Sequence, residues 1–130
     1  MTASLIISTY NWPGALNLVL ESALKQTVLP DEILIADDGS TSETKNLVEE
    51  FQQKTSLPIH HIWHEDDGFR LSEIRNKSIK AARSDYIIQI DGDTVLHHDF
   101  VKNHLRLAET NAFLSGSRAV SYTHLRAHET

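Results

Sequence analysis

Short apolar runs alternate with longer stretches of helical periodicity along the chain. Ser4 to Ser8 and Glu32 to Ala36 are rich in isoleucine and leucine and are bounded by turn residues, the pattern of strands covered on both faces. Between them Leu16, Val19, Leu20, Ala23 and Leu24 repeat at helical spacing; Pro13 suits a first turn and Pro30 forbids continuation, so a helix is predicted there. A second helix is predicted from about Ser42 to Lys54, with Leu47, Val48 and Phe51 on one side and Ser42 as its cap. Ile59 to Trp63 reads as a third strand, followed by the polar loop His64-Glu65-Asp66-Asp67-Gly68. Ser72 is expected to cap a third helix that turns Ile74, Ser78 and Ala81 or Ala82 inward. The run Tyr86 to Ile90 predicts a buried fourth strand ending in Asp91-Gly92-Asp93, then a helix near Asp99 to Thr110 and a fifth strand beginning at Ala112 to Leu114.

Regular alternation of strand and helix predicts an α/β fold: a mostly parallel sheet, right-handed connections and helices on both faces. In such sheets ligands bind beyond the carboxyl ends of the strands. Both acidic clusters, Asp37-Asp38 and Asp91-Gly92-Asp93, fall at such ends. The 130 residues, 40% hydrophobic and 23% charged, suit one domain with a core. A net charge of -6 with scattered lysines and arginines argues against a basic face that coats nucleic-acid phosphates. There is no cysteine, so a metal would have to be held by oxygen or imidazole. Leu5-Ile6-Ile7 is too short to span a bilayer, and the N-terminus lacks the basic stretch and long apolar run of a signal peptide. A soluble, cytoplasmic chain is therefore expected, with docking on the inner membrane face left open.

The chemistry concentrates in a few acidic and basic positions. Asp91 and Asp93 place two carboxylates around a glycine at a strand's mouth, an arrangement that can converge on a hard divalent cation. Asp-Gly is also a common turn pair. The turn reading weakens because a second acidic cluster on the same sheet edge would repel the first unless a cation or donor groups compensate. Asp38 could accept a hydrogen bond from a nucleobase N–H, with Ser8 and Tyr10 beside it; alternatively Asp37-Asp38-Gly39-Ser40 simply starts the next helix. Arg75 and Asn76 are expected in the first turn of the third helix, where the dipole and backbone N–H groups favour an anion. A guanidinium there suits a diphosphate, although a lone arginine on a helix is commonly just solvated. The eight histidines, including His60-His61, His64 and His97-His98, lack the i, i+4 spacing of a helical metal site, and most are expected to be surface or strand residues. No Ser-His-Asp arrangement, phosphate-binding glycine loop or dinucleotide fingerprint is present.

Taken in order, Ser4 to Asn11, Gln26-Thr27, Ile35 to Ser40, Arg75-Asn76 and Asp91-Gly92-Asp93 resemble the nucleotide-sugar half of inverting family 2 glycosyltransferases. The resemblance covers about residues 4 to 118, and Asp67-Gly68-Phe69-Arg70 leading to Arg75-Asn76 is similar to the chondroitin-polymerase-like subgroup. It implies a GT-A fold, a UDP-sugar donor, a glycan acceptor and Mn²⁺ or Mg²⁺ bridging the donor diphosphate to carboxylates, as in bacterial polysaccharide synthesis. By position, Asp38 would read the uracil with Ser8 and Tyr10 lining its pocket, and Arg75 with Asn76 would approach the nucleotide. Asp91 would face the ribose and the metal shell, and Asp93 would be the direct metal ligand.

The general base of that family lies well beyond the metal motif, and no counterpart is read in this chain, which is expected to be an inactive donor-binding part spanning residues 1–119. Residues 120–130 do not continue the family pattern; they resemble a translated sequencing-adapter read-through and are set aside from fold reasoning. Two alternatives compete. A phospho-acceptor receiver-like domain shares the length and an acidic Mg²⁺ pocket, but its acidic pair follows the first strand, where this chain has Ser8-Thr9-Tyr10-Asn11. A nucleotidyltransferase of the same fold would want a glycine-rich phosphate loop near that strand.

Overall fold

A computed structural model describes residues 1–108 and 122–124. Four strands, β1 (Ala3–Thr9), β2 (Glu32–Asp37), β3 (Ile59–Trp63) and β4 (Tyr86–Asp91), form one parallel sheet in the order β3-β2-β1-β4. Helices α1 (Pro13–Leu24), α2 (Ser42–Lys54) and α3 (Leu71–Ala81) connect them in turn. Beyond β4 come β5 (Thr94–Leu96), α4 (Phe100–Leu107) and β6 (Tyr122–His124), the last pairing antiparallel with β5.

The alternation of side chains along each strand divides the core into two layers. Leu5 and Ile7 of β1, Ile33 and Ile35 of β2, and Ile88 and Ile90 of β4 face one side. There they pack with Leu16, Val19 and Leu20 of α1, Val48 and Phe51 of α2, and Phe100 and Val101 of α4. Ile6, Leu34 and Ala36 face the other side, against Ile74 of α3. All seven residues of β1 and all six of β2 are buried, which is why these two strands read as unbroken apolar runs. Each fully buried leucine or isoleucine stabilises the fold by about 1.5–3 kcal/mol, so the sheet is a firm platform for whatever its edge carries.

The strand order separates the two α/β alternatives. A receiver-like sheet runs 2-1-3-4-5, whereas 3-2-1-4 is the order of a Rossmann-like half, whose ligand crevice opens where the order reverses. Here that point lies between β1 and β4, and the register sets Ser8 beside Asp91.

Several local expectations are corrected. The α2 cap is Thr41, with Ser42 the first helical residue, because the Asp37–Ser40 turn ends one residue earlier than the serine pattern implies. Likewise α3 starts at Leu71 behind Arg70, and Ser72 lies inside it; Asp38 accepts the Arg70 N–H at 3.0 Å, so a long-range contact sets this helix start in place of a local cap. Arg75 and Asn76 consequently occupy the second turn of α3, outside the reach of its N-terminal dipole. Strand β4 is less buried than expected, with Gln89 exposed and only Ile88 and Ile90 buried. The three-residue β5 was not anticipated, α4 stops at Leu107, and the predicted strand at 112–114 lies outside the described residues.

Candidate functional site

The carboxyl ends of β1, β2 and β4 and the loop after β3 surround a cavity of about 390 Å³. Ser8, Thr9 and Tyr10 contribute from β1 and its exit, Asp38 from the end of β2, Asp91 from β4, and Asp66, Gly68, Phe69 and Leu71 from the β3–α3 segment. The cavity therefore occupies the crevice expected of the strand reversal.

The two adjacent aspartates at the end of β2 do different work. Asp37, fully buried, accepts the Ser40 N–H at 2.9 Å and lies 2.7 Å from the His61 ring, so it builds the turn leading to α2. Asp38 turns to the cavity; its Oδ1 is 2.5 Å from His64 Nε2 and its Oδ2 accepts the Arg70 N–H. The turn reading of Asp37-Asp38-Gly39-Ser40 thus falls to Asp37, while Asp38 is the one of the pair that lines the cavity. Gly39 has φ +95, and a Cβ on it would meet the Asp66 backbone at 2.5 Å. Its bare Cα lets the β3–α3 loop close over the end of β2.

On the β1–β4 side, Arg75 reaches across the sheet edge. Its Nε donates to Ser8 Oγ and its guanidinium also donates to Asp91 Oδ1, both at 3.0 Å. Arg75 is only partly exposed, and the pair is a structural tie as well as a positive charge at the cavity rim. Gly92 then turns the chain so closely past β1 that a Cβ would run into the Ser8 carbonyl oxygen. Asp93 follows, partly buried at the β4–β5 turn and outside the cavity lining. Tyr10 is half exposed and donates its hydroxyl to Asp66 at 2.7 Å; that bond and the charge of Asp66 raise the phenol's pKa. Asn76 is exposed and not part of the lining, since consecutive helical residues diverge by about 100° around the axis.

The repulsion that pointed to a cation on sequence grounds is met to a considerable degree by protein donors: His61 and Ser40 for Asp37, His64 and Arg70 for Asp38, Arg75 for Asp91. The histidines are where sequence reasoning missed most. His64 is buried at the site, and His61 is bonded beneath it. Their signal was present as His61 and His64 flanking the end of a strand adjacent to the acidic pair, but it needed the β2–β3 pairing to be read. At the β5–α4 turn, His97, His98 and Asp99 also bring possible ligand atoms within 4.8 Å of one another. Those groups are engaged locally: Asp99 accepts the Thr27 hydroxyl at 2.6 Å, which lowers its pKa, and donates its own N–H to His97 Nδ1.

The model of the glycosyl transferase family 2 matches residues 4–127. The chain belongs to that family. It is 31% identical over 124 residues to a chondroitin synthase of Pasteurella multocida (strain Pm70), covering 93% of this chain and 13% of that protein. A chondroitin synthase of Escherichia coli is 30% identical over 118 residues, covering 88% and 17% respectively. The chain thus spans under a fifth of the length of these relatives. Among solved structures, residues 1–349 of S. aureus TarS in complex with UDP-GlcNAc superpose with a TM-score of 0.69 at 27% identity, over 82% of this chain and 30% of that one. The fold of this family 2 member is GT-A, and neither a receiver domain nor a nucleotidyltransferase fits the match. Among the described residues no helix is long and apolar enough to cross a membrane.

Proposed function

We propose that this chain is the donor-binding part, within residues 1–119, of an inverting glycosyltransferase that takes a UDP-sugar and extends a glycan with the help of Mn²⁺ or Mg²⁺. The observation that carries the reading is the cavity at the strand reversal, with a buried carboxylate, Asp38, on one wall and the Ser8–Arg75–Asp91 cluster on another. These walls match the two ends of a nucleoside diphosphate in chemistry: a base edge with N–H groups to donate, and an anionic tail. Membership of family 2, and likeness to TarS with UDP-GlcNAc bound, favour a nucleotide-sugar as the occupant.

In this reading Asp38 accepts from the base, Tyr10 offers its ring face at the cavity mouth, and Ser8 lines the pocket beneath it. Arg75 holds Asp91 and Ser8 in one rigid unit and contributes positive charge toward the diphosphate. Asp91 and Asp93 suit a hard divalent cation, because both are carboxylates and Gly92 presses their turn against β1. Such a cation, when bound, supplies Lewis-acid stabilisation of the charge that grows on the leaving diphosphate. The protein's own part is to hold those carboxylates still: the Arg75 hydrogen bond fixes one Asp91 oxygen, and a carboxylate has about four acceptor positions in all, so that bond is compatible with coordination. Asn76 belongs to the rim in this proposal by sequence position alone. Chain extension itself is assigned to the parent enzyme, with its general base outside residues 1–119.

Calorimetric titration of UDP with and without Mn²⁺, with Asp93→Ala as control, tests the reading. UDP affinity should rise with Mn²⁺ in the wild-type chain and lose that dependence in the variant. Absent or metal-independent UDP binding by well-folded protein would overturn it.

A further inference from the structure

The β3–α3 segment is stitched to the cavity from both ends. His64, immediately after β3, is 94% buried by its side chain's 6% exposure and places Nε2 2.5 Å from Asp38 Oδ1. At the other end the Arg70 N–H donates to Asp38 Oδ2 at 3.0 Å, while its guanidinium donates to the Glu65 carbonyl and to Glu73, each at 3.0 Å. Asp38 is thereby held by one donor on each oxygen, and it is 4% exposed yet still lines the cavity. His64 itself does not line it. The imidazole stands behind the carboxylate, and its Nδ1 is buried with no hydrogen-bond partner among the described residues.

The chemistry of the two groups gives the direction of the short bond. An ionised carboxylate only accepts, so Nε2 must carry the hydrogen and donate it. With both oxygens clamped, the carboxylate cannot rotate, and the lone pairs left to it point in fixed directions. A ligand that meets it must bring a hydrogen-bond donor. Among pyrimidines, uracil offers an N3–H, whereas cytosine presents a bare N3 acceptor on the same edge and would set two acceptors against each other. A site built to hydrogen-bond an N–H discriminates strongly against an analogue lacking it, because its own polar group is then left unpaired.

Resting on the donor-site reading above, we propose that His64 is the positioning residue that locks Asp38 as a fixed acceptor, and so sets the preference for a base bearing an N–H over one bearing a bare ring nitrogen. His64 acts only through Asp38. Its removal leaves the carboxylate able to swing, which weakens uracil binding and relaxes the choice of base together. A merely structural histidine would not couple the two.

The test compares UDP and CDP affinities, with Mn²⁺ present, for the wild-type chain, His64→Leu, His64→Gln and the exposed control His98→Gln. The wild type should favour UDP by about 10-fold or more. His64→Leu should lose UDP affinity and bring the two nucleotides within about 3-fold, while His64→Gln, whose amide can donate at the same reach, should recover most of the preference. In the wild type, the His64 Nε2–H should give an exchange-protected NMR resonance that moves on adding UDP and not on adding CDP, a readout that needs no substitution. Wild-type chain that binds no UDP would overturn the donor-site reading and this inference with it. UDP binding with an unmoved resonance, or an unchanged UDP-to-CDP ratio in folded His64→Leu, would overturn the inference alone.

Discussion

Single residues at this site act mainly by closeness. Gly92 does not need an unusual backbone angle; it needs the absence of a side chain, because the Ser8 carbonyl fills the space a Cβ would take. Gly92→Ala must push β4's end away from β1, at a cost of about 1–3 kcal/mol, and should lower the urea midpoint while reducing UDP affinity at least as much. An alanine variant with unchanged stability would show that the turn yields freely. The aspartates were legible as an acidic pair, and so was their place at a strand end. Their division of labour was not, since it depends on His61 of β3 and on His64 just past it, the latter 26 residues from Asp38. No local spacing encodes that.

Elements meet through a small number of buried polar ties. Gln26, just past α1, is 7% exposed; its amide donates to the His97 carbonyl at 2.8 Å and its carbonyl accepts the Val101 N–H at 3.0 Å. It thus caps the start of α4 from 75 residues away and satisfies a helix donor that has no partner within its own helix. The Gln26-Thr27 pair that stood out in the sequence therefore has a packing reason, joined by Thr27 bonding Asp99. Gln26→Leu should cost about 1–3 kcal/mol and speed hydrogen exchange in the first turn of α4 ahead of the central sheet. Uniform loss of protection across the sheet would contradict this. The helix start that a local cap predicted at Ser72 shifted because a distant contact, Arg70 N–H to Asp38, placed it, whereas the start at Ser42 moved by one residue with the local Asp37–Ser40 turn.

Across the whole molecule, one carboxylate links three strands' worth of chain. Glu32 at the start of β2 accepts the Ser4 hydroxyl of β1 at 2.6 Å and the Arg83 N–H ahead of β4 at 2.7 Å. Burial opposes its charged form, yet the Ser4 and Arg83 hydrogen bonds with the nearby His60 lower its pKa below the ordinary 4.5. With the folded value below the unfolded one, its stabilisation is present above about pH 4.5 and is lost as pH falls through the folded value. Chemical denaturation between about pH 6 and 3 should therefore show a falling midpoint whose slope is reduced in Glu32→Gln. An identical slope in the variant would assign the acid sensitivity to other carboxylates.

What the sequence determined by itself is what nearest-neighbour physics can encode. Apolar runs marked β1 to β4, helical periodicity marked α1 to α4 with their inward faces, and the acidic residues sat visibly at strand ends. Strand order, the two-sided core and the placement of β1 beside β4 required the folded chain. Only then did Ser8, Asp38, Arg75 and Asp91 become neighbours, and only then did His64 become part of the site. Side chains separated by tens of residues converge because burying both faces of a parallel sheet leaves one edge where its strand ends meet, and the donors and acceptors stranded there must satisfy each other or a ligand.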